Sequence, residues 1–115
     1  MQSATKRPKT LDEALMEPTT STWDFYDAVT GKDFWESGLL FGKVPSFDVK
    51  PQDVDKIYEL VLRLKRSYEK HFPPEDRTRR YYVEPCERIK AAYKSGNLEA
   101  FKSAVSYLLV SIMCD

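Results

Sequence analysis

The sequence predicts an all-α protein, a compact bundle of four or five helices that follows a flexible polar tail. Apolar residues recur at steps of three and four over two long segments, residues 51–72 and 97–114, and this is the spacing of one helix face. Proline and glycine stand where these segments should begin or end. With 115 residues, 42% of them hydrophobic, the chain is long enough to form one core. We therefore expect a tail over residues 1–20 and a single helical domain over residues 21–115.

The first twenty residues are polar and contain Pro8 and Pro18. Thr10 and Glu13 have the spacing of a capping box, which predicts a short helix that ends before Pro18. The segment lacks the apolar core of a secretory signal, and the longest uncharged run, residues 103–114, is shorter than the ~20 residues of a membrane span. We expect an intracellular protein, cytoplasmic or nuclear, with no membrane partner. The basic cluster over residues 6–9 suits either a nuclear-import signal or a solubilising tail.

Residues 23–47 are rich in aromatic side chains and hold seven of the fifteen in the chain. Ser21 precedes a predicted helix over residues 22–30, and Gly31 separates it from a second short helix over residues 32–40. Gly38, Gly42 and Pro45 then predict a loop. A short strand within residues 39–49 is the alternative interpretation.

Pro51 suits the first turn of a long helix over residues 51–72, which must end before Pro73. Its apolar positions follow one face for about five turns. These positions are Val54, Ile57, Tyr58, Val61, Leu64, Tyr68 and Phe72.

The polar and basic residues 75–83 are followed by Pro85, at which we expect the next helix, residues 85–95, to begin. Gly96 can adopt the left-handed conformation that ends a helix, and Asn97 can cap the last helix, residues 97–114. The inward face of that helix comprises Leu98, Phe101, Ala104, Val105, Leu108, Leu109 and Ile112. Tyr107, Val110 and Met113 lie off this face, so the helix is either central in the fold or also contacts a partner.

The net charge is zero, but the charges are segregated along the chain. Residues 11–60 contain four basic and eleven acidic residues, whereas residues 61–80 contain seven basic and three acidic ones. Either the two segments neutralise each other within the fold or a local patch attracts a charged partner.

The sequence offers little for catalysis or for metal binding, so we expect neither an enzyme nor a cofactor. His71 is the only histidine, and the two cysteines, Cys86 and Cys114, have no spacing typical of a metal site. Cys86 lies between Glu84 and Glu87, whose charges oppose a reactive thiolate, and it is better interpreted as a buried apolar residue. Three pairs of carboxylates stand near predicted helix starts, where they complement the helix dipole. These pairs are Asp24 and Asp27, Asp53 and Asp55, and Glu84 and Glu87. No glycine-rich phosphate loop is present.

The first functional hypothesis is a protein-interaction module, an adaptor or a subunit of a larger complex. Aromatic side chains mixed with acidic ones can dock on another protein, although the same rings could instead cover the chain's own core. A homodimer that uses the broad apolar surface of residues 97–114 is a variant of this hypothesis. The candidate binding residues are Trp23, Phe25, Tyr26, Phe34, Trp35, Leu39 and Phe41.

The alternative hypothesis is a nucleic-acid-binding accessory protein that uses the basic segment 63–80. Basic side chains contact phosphates, and tyrosine can stack on bases. The isoelectric point of 6.6 and the acidic first half oppose this hypothesis, and the arginines could instead pair with neighbouring glutamates and aspartates. The candidate residues are Lys65, Arg66, Lys70, Arg77, Arg79, Arg80 and Tyr81.

Overall fold

The computed structural model of the protein describes residues 8–35 and 46–113. These residues form five α-helices and no strand, which confirms the all-α prediction. The helices are α1 (Leu11–Leu15), α2 (Thr22–Thr30), α3 (Val54–His71), α4 (Arg77–Ser95) and α5 (Leu98–Met113), and a single 3-10 turn (Pro51–Asp53) leads directly into α3. Residues 36–40 of the predicted second short helix, 32–40, and most of the alternative strand fall outside the described residues. The core lies between α3, α4 and α5, and α1 and α2 pack on α3.

The short helix α1 begins with the capping box that the sequence predicts. The Thr10 hydroxyl accepts a hydrogen bond from the Glu13 backbone N–H, and the Glu13 carboxylate accepts one from the Thr10 N–H. Ala14 is buried, and Arg63 of α3 donates to the carbonyl oxygens of Leu15 and Glu17 at 2.8 and 2.6 Å. Residues 11–17 therefore contribute to the packed domain, although the sequence assigned them to a tail. A helix of five residues is too short to show a periodic pattern, so its packing on α3 could not be predicted from the order of residues.

Helix α2 has the predicted bounds, residues 22–30. The Ser21 hydroxyl accepts a hydrogen bond from the Asp24 N–H at 3.2 Å, and Gly31 ends the helix with a φ of 72°. A left-handed residue of this kind favours glycine because a Cβ atom strains that conformation.

Helix α3 follows the predicted stripe and ends before Pro73. Its buried residues are Ile57, Leu60, Val61, Leu64 and Tyr68. Apart from the neighbours Leu60 and Val61, they recur at steps of three and four, so α3 buries one face from residue 57 to residue 68.

Helix α4 corrects one prediction, because it begins at Arg77 rather than at Pro85. The Asp76 carboxylate caps it by accepting from the Thr78 N–H at 2.9 Å. Pro85 lies inside the helix, where it cannot donate to the carbonyl of Tyr81. The helix continues across the proline because Tyr82, Pro85, Cys86 and Ile89 all face the core, and this burial compensates for the missing hydrogen bond.

Helix α5 confirms the sequence prediction at its start and along most of its predicted inward face, but Leu98, which the sequence placed on that face, is exposed in the first turn. Gly96 ends α4 with a φ of 74°, and the Asn97 side chain accepts from the Ala100 N–H at 3.1 Å. The fully or nearly fully buried residues of α5 are Phe101, Val105, Leu108, Leu109 and Ile112. Tyr107 and Val110 are exposed, so one side of α5 faces away from the core.

Candidate protein-binding cleft

An open cleft of about 550 Å³ lies between the start of α2, residues 34–35, α3 and the adjoining ends of α4 and α5. Its apolar lining consists of Trp23, Phe34, Trp35, Leu64, Phe72, Tyr82 and Ile112. Its polar lining consists of Thr20, Ser21, Thr22, Ser67, Tyr68 and His71. We call this site the tryptophan cleft. Ser67 and His71 of α3 line the cleft but are not among the binding residues predicted from the sequence. They stand one turn apart beside the predicted apolar stripe.

The two tryptophans of the chain lie together in the wall of this cleft. Trp23 is 47% exposed and Trp35 is 55% exposed, and their ring centroids are 6.0 Å apart. Phe34 holds Trp35 by an edge-to-face contact at 5.2 Å, and makes the same type of contact with the buried ring of Tyr26. The backbone N–H of Phe34 also donates to the Asp27 carboxylate at 2.8 Å. The exposed indoles are therefore attached to the core through a chain of ring contacts.

The other aromatic candidates from the sequence do not share this exposure. Phe25 and Tyr26 are fully buried and belong to the core, so they are removed from the candidate binding surface. Phe34 is half-buried and connects the core to the cleft. Leu39 and Phe41 lie outside the described residues. The interaction hypothesis thus depends on Trp23 and Trp35.

Several hydroxyl groups lie among the cleft-lining residues. The hydroxyls of Thr22 and Tyr68 form a hydrogen bond at 2.9 Å, which joins α2 to α3. The Ser21 hydroxyl is engaged by the cap of α2. The Thr20 hydroxyl is buried and forms no hydrogen bond with any residue in the described ranges.

Part of the basic segment is paired with neighbouring glutamates, as the internal-pairing interpretation of that segment expects. Lys65 lies 3.0 Å from Glu69 and 3.2 Å from Glu87, and its hydrogen bond with Glu69 raises the pKa of the lysine. Arg79 also approaches Glu69, at 3.7 Å. The pairs Lys65–Glu87 and Arg79–Glu69 join α3 to α4, so Lys65 and Arg79 serve the packing of the domain.

The remaining candidates for nucleic-acid binding lie on two separate helices. Arg66 and Lys70 are exposed on α3, and Arg77 and Tyr81 are exposed on α4. Within residues 8–35 and 46–113, Arg66, Lys70 and Arg77 form no ion pair. The structure does not gather the seven predicted residues into one surface.

A second surface is formed by the outer sides of α4 and α5. Tyr81 is 74% exposed and shares a shallow depression with Arg77, Arg80 and Tyr107. Arg80 pairs with Glu84 at 3.1 Å, as the internal-pairing interpretation expects. The guanidinium of Arg88 lies 4.3 Å from the ring centroid of Tyr107. This α4–α5 face is basic and aromatic.

The environment of Cys86 is that of an unreactive core thiol. The residue is fully buried, and burial raises the pKa of its thiol to about 12. A thiol of this kind remains protonated near neutral pH and is a poor nucleophile.

The paired carboxylates of the sequence also have structural partners. Asp24 pairs with Lys9 at 3.0 Å, Asp55 accepts from the Tyr93 hydroxyl, and Glu84 and Glu87 form the ion pairs described above. Across the part of the chain that the structure describes, histidine, cysteine, aspartate and glutamate side chains do not cluster into a metal-ligand set. None of the helices in these residues combines the length and apolar character needed to span a lipid bilayer.

Comparison of the chain with models of protein families, with curated proteins and with solved structures finds no match.

Proposed function

We propose that this chain is a non-enzymatic protein-interaction module, an adaptor or a subunit of a larger complex, which binds its partner in the tryptophan cleft. The observation that carries the proposal is the exposure of Trp23 and Trp35, which touch each other beside an apolar cleft. Tryptophan residues of this kind are enriched at the energetic centres of protein interfaces because they bury a large area at low entropic cost.

The surroundings of the cleft support binding of a protein segment. The long helices α3, α4 and α5 supply much of the lining. Their buried faces pack in the core and hold that part of the cleft in place. A cleft of about 550 Å³ falls within the size range of preformed binding sites, and it is open enough to admit side chains from an external peptide. Binding would remove both indoles from water, which gives the interaction an apolar driving force.

Selection from a random-peptide display library tests this proposal. We expect the full chain to enrich peptides whose binding is lost in the Trp23→Ala variant. The matched control is Tyr81→Ala, which removes an exposed aromatic ring from the α4–α5 face and should leave binding unchanged. Enriched peptides that bind wild type and Trp23→Ala equally would contradict the proposal.

A nucleic-acid-binding function is the second candidate, and the α4–α5 face is the surface that favours it. There Arg77 has no ion-pair partner among the described residues, and Tyr81 is exposed for stacking. A titration with a mixed-sequence single-stranded oligonucleotide at low salt tests this candidate. Arg77→Glu should weaken binding, the control Lys94→Glu should not, and the absence of binding by wild type would refute the candidate.

Self-association through α5 is a variant of the interaction proposal. Tyr107 and Val110 expose apolar surface on the side of α5 that faces away from the core. Sedimentation over a range of concentrations should then show a dimer that Val110→Glu dissociates. A chain that remains monomeric at every concentration would contradict this variant.

We also propose a cytoplasmic or nuclear location, with the basic cluster of residues 6–9 as an import signal. Imaging of the fluorescently tagged full chain would test the nuclear alternative. Replacement of the three basic residues of the cluster by alanine should shift the protein from nucleus to cytoplasm, and an unchanged distribution would refute the import signal.

A further inference from the structure

We propose that the tryptophan cleft binds an acidic peptide segment with apolar side chains, contributed by another protein. This inference rests on the proposed function and names the chemistry of the partner. It depends on three features of the described residues, which are the apolar lining of the cleft, the charge of its border on α3, and an unpaired hydroxyl in its wall.

The apolar lining explains why a peptide would bind in the cleft, but it does not determine which charge that peptide carries. Eight of the thirteen lining residues are aliphatic or carry a phenylalanine, tyrosine or tryptophan ring, and the two indoles stand at the surface where an incoming side chain would meet them. An occupant must therefore supply apolar side chains to replace the water in the cleft. Polar or highly charged ligands without such side chains would leave both indoles in water.

The border of the cleft on α3 is basic. Neighbouring residues of an α-helix are rotated by about 100°, which places Ser67 and His71 about 40° apart on the cleft side of α3. By the same geometry Lys70 lies about 60° from Ser67 on the side away from His71, and Arg66 lies about 40° beyond Lys70, so both stand beside the residues that line the cleft and not among them. Lys70 and Arg66 are exposed and form no ion pair in residues 8–35 and 46–113. A row of available cations therefore follows one edge of the apolar surface.

The acidic side chains near the cleft lie on its α2 side, apart from Glu69, which is ion-paired on α3. Asp24, beside Trp23, binds Lys9 at 3.0 Å, and this hydrogen bond raises the pKa of the lysine. Asp27 accepts from the Phe34 N–H, and Glu69, next to Lys70 in the sequence, lies within ion-pair distance of Lys65 and Arg79. The charge that remains available to a partner on α3 is positive, and acidic side chains complement it.

The third feature is the Thr20 hydroxyl in the wall of the cleft. It is buried and lacks a hydrogen-bond partner among the described residues, which is unfavourable for a polar group away from water. A peptide carries N–H and C=O groups along its backbone, and either can pair with a hydroxyl. A peptide occupant thus offers polar groups for this position in addition to its apolar side chains.

A matched pair of substitutions at Ser67 tests the charge of the occupant. Ser67 is exposed at the surface of the cleft, so Ser67→Glu and Ser67→Lys should both fold like wild type. The probes are the synthetic forms of peptides that display selection enriches and that Trp23→Ala fails to bind. Since an exposed ion pair changes affinity by about twofold to fivefold, we expect Ser67→Glu to weaken binding by about that factor and Ser67→Lys to strengthen it.

The full prediction includes the composition of the peptides and a distant control. The enriched peptides should contain several apolar residues and more acidic than basic ones. Lys94→Glu makes a charge change of the same sign and twice the size near the far end of α4, and it should leave affinity unchanged. The affinity should fall with rising salt concentration, because the contributing charges are exposed.

The outcomes separate this inference from the proposed function. Peptides that require Trp23 but bind more tightly to Ser67→Glu, or equally to both Ser67 variants, would overturn the acidic partner and leave the interaction module standing. Selection that yields no peptide dependent on Trp23 would overturn both.

Discussion

One part of the aromatic segment lies in the core and another part lines the cleft. Substitutions at two residues of the same helix should therefore change the free energy of unfolding by different amounts. Phe25 is fully buried, whereas Trp23, two positions earlier in α2, is 47% exposed. Removal of a fully buried phenylalanine side chain costs about 3–5 kcal/mol, because apolar contact is lost and a cavity remains. Phe25→Ala should therefore lower the free energy of unfolding by about that amount.

Trp23→Ala should cost much less, because only about half of its side chain is removed from water. An aromatic side chain buries roughly 200 Å² when fully enclosed, so Trp23 buries roughly 100 Å². At ~25 cal/mol per Å² this corresponds to about 2.5 kcal/mol, an upper value because the unfolded chain already buries part of the ring. We expect a loss of about 1–2 kcal/mol.

Urea denaturation followed by far-ultraviolet circular dichroism measures both variants with the same signal. Phe25→Leu retains most of the side-chain volume and keeps the comparison measurable if Phe25→Ala does not fold. The expected result is a stability difference of about 2 kcal/mol between the two alanine variants at an unchanged dependence on urea. Equal losses for Trp23→Ala and Phe25→Ala would refute the assignment of Trp23 to a binding surface rather than to the core.

Three further predictions concern the scaffold. Between pH 9 and pH 12 the free energy of unfolding should fall as the pH rises. The Cys86 thiol ionises from about pH 9.0 in the unfolded chain, whereas in the folded chain its pKa is raised to about 12 and it stays protonated. A fall of the same slope in the Cys86→Ala variant would contradict this prediction. Arg63→Met should cost about 1–3 kcal/mol in chemical denaturation, because it removes the hydrogen bonds that hold the end of α1 on α3, whereas the exposed control Arg66→Met should change stability by less than ~0.5 kcal/mol. Asn97→Ala should cost about 1 kcal/mol through loss of the α5 cap, and a thermal midpoint equal to that of wild type would show that the cap does not contribute.

The sequence predicted elements whose boundaries depend on local chemistry. Thr10, Ser21 and Asn97 cap helices where their side chains can accept a backbone hydrogen bond, and Gly31 and Gly96 end helices where φ is positive. These interactions involve residues within four positions of one another, so they can be derived from the order of residues alone.

The start of α4 could not be derived in this way. Pro85 is a local signal for a helix start, but Tyr82 and Ile89 on either side of it are buried against other helices. That packing is a property of the whole fold, and it outweighs the local preference.

The tryptophan cleft was predictable only in part, for the same reason. Periodicity and composition identified the aromatic segment, but they do not tell whether a ring at a given position packs inward or stays at the surface. Phe25 is buried and Trp23 is exposed because only one side of α2 packs on α3. The cleft joins residues that lie as far apart in the sequence as Thr20 and Ile112. Only the three-dimensional arrangement brings Ser67 and His71 to the side of the indoles.

The most direct test of the central claim is chemical-shift mapping of the isotopically labelled full chain with a selected peptide. The chain has two tryptophans, so two indole N–H resonances report on the cleft. We expect both to shift on binding, together with the backbone resonance of Ser67, while Tyr81 on the α4–α5 face stays unchanged. Shifts concentrated at Tyr81 and Tyr107, with both indole resonances unmoved, would contradict the account.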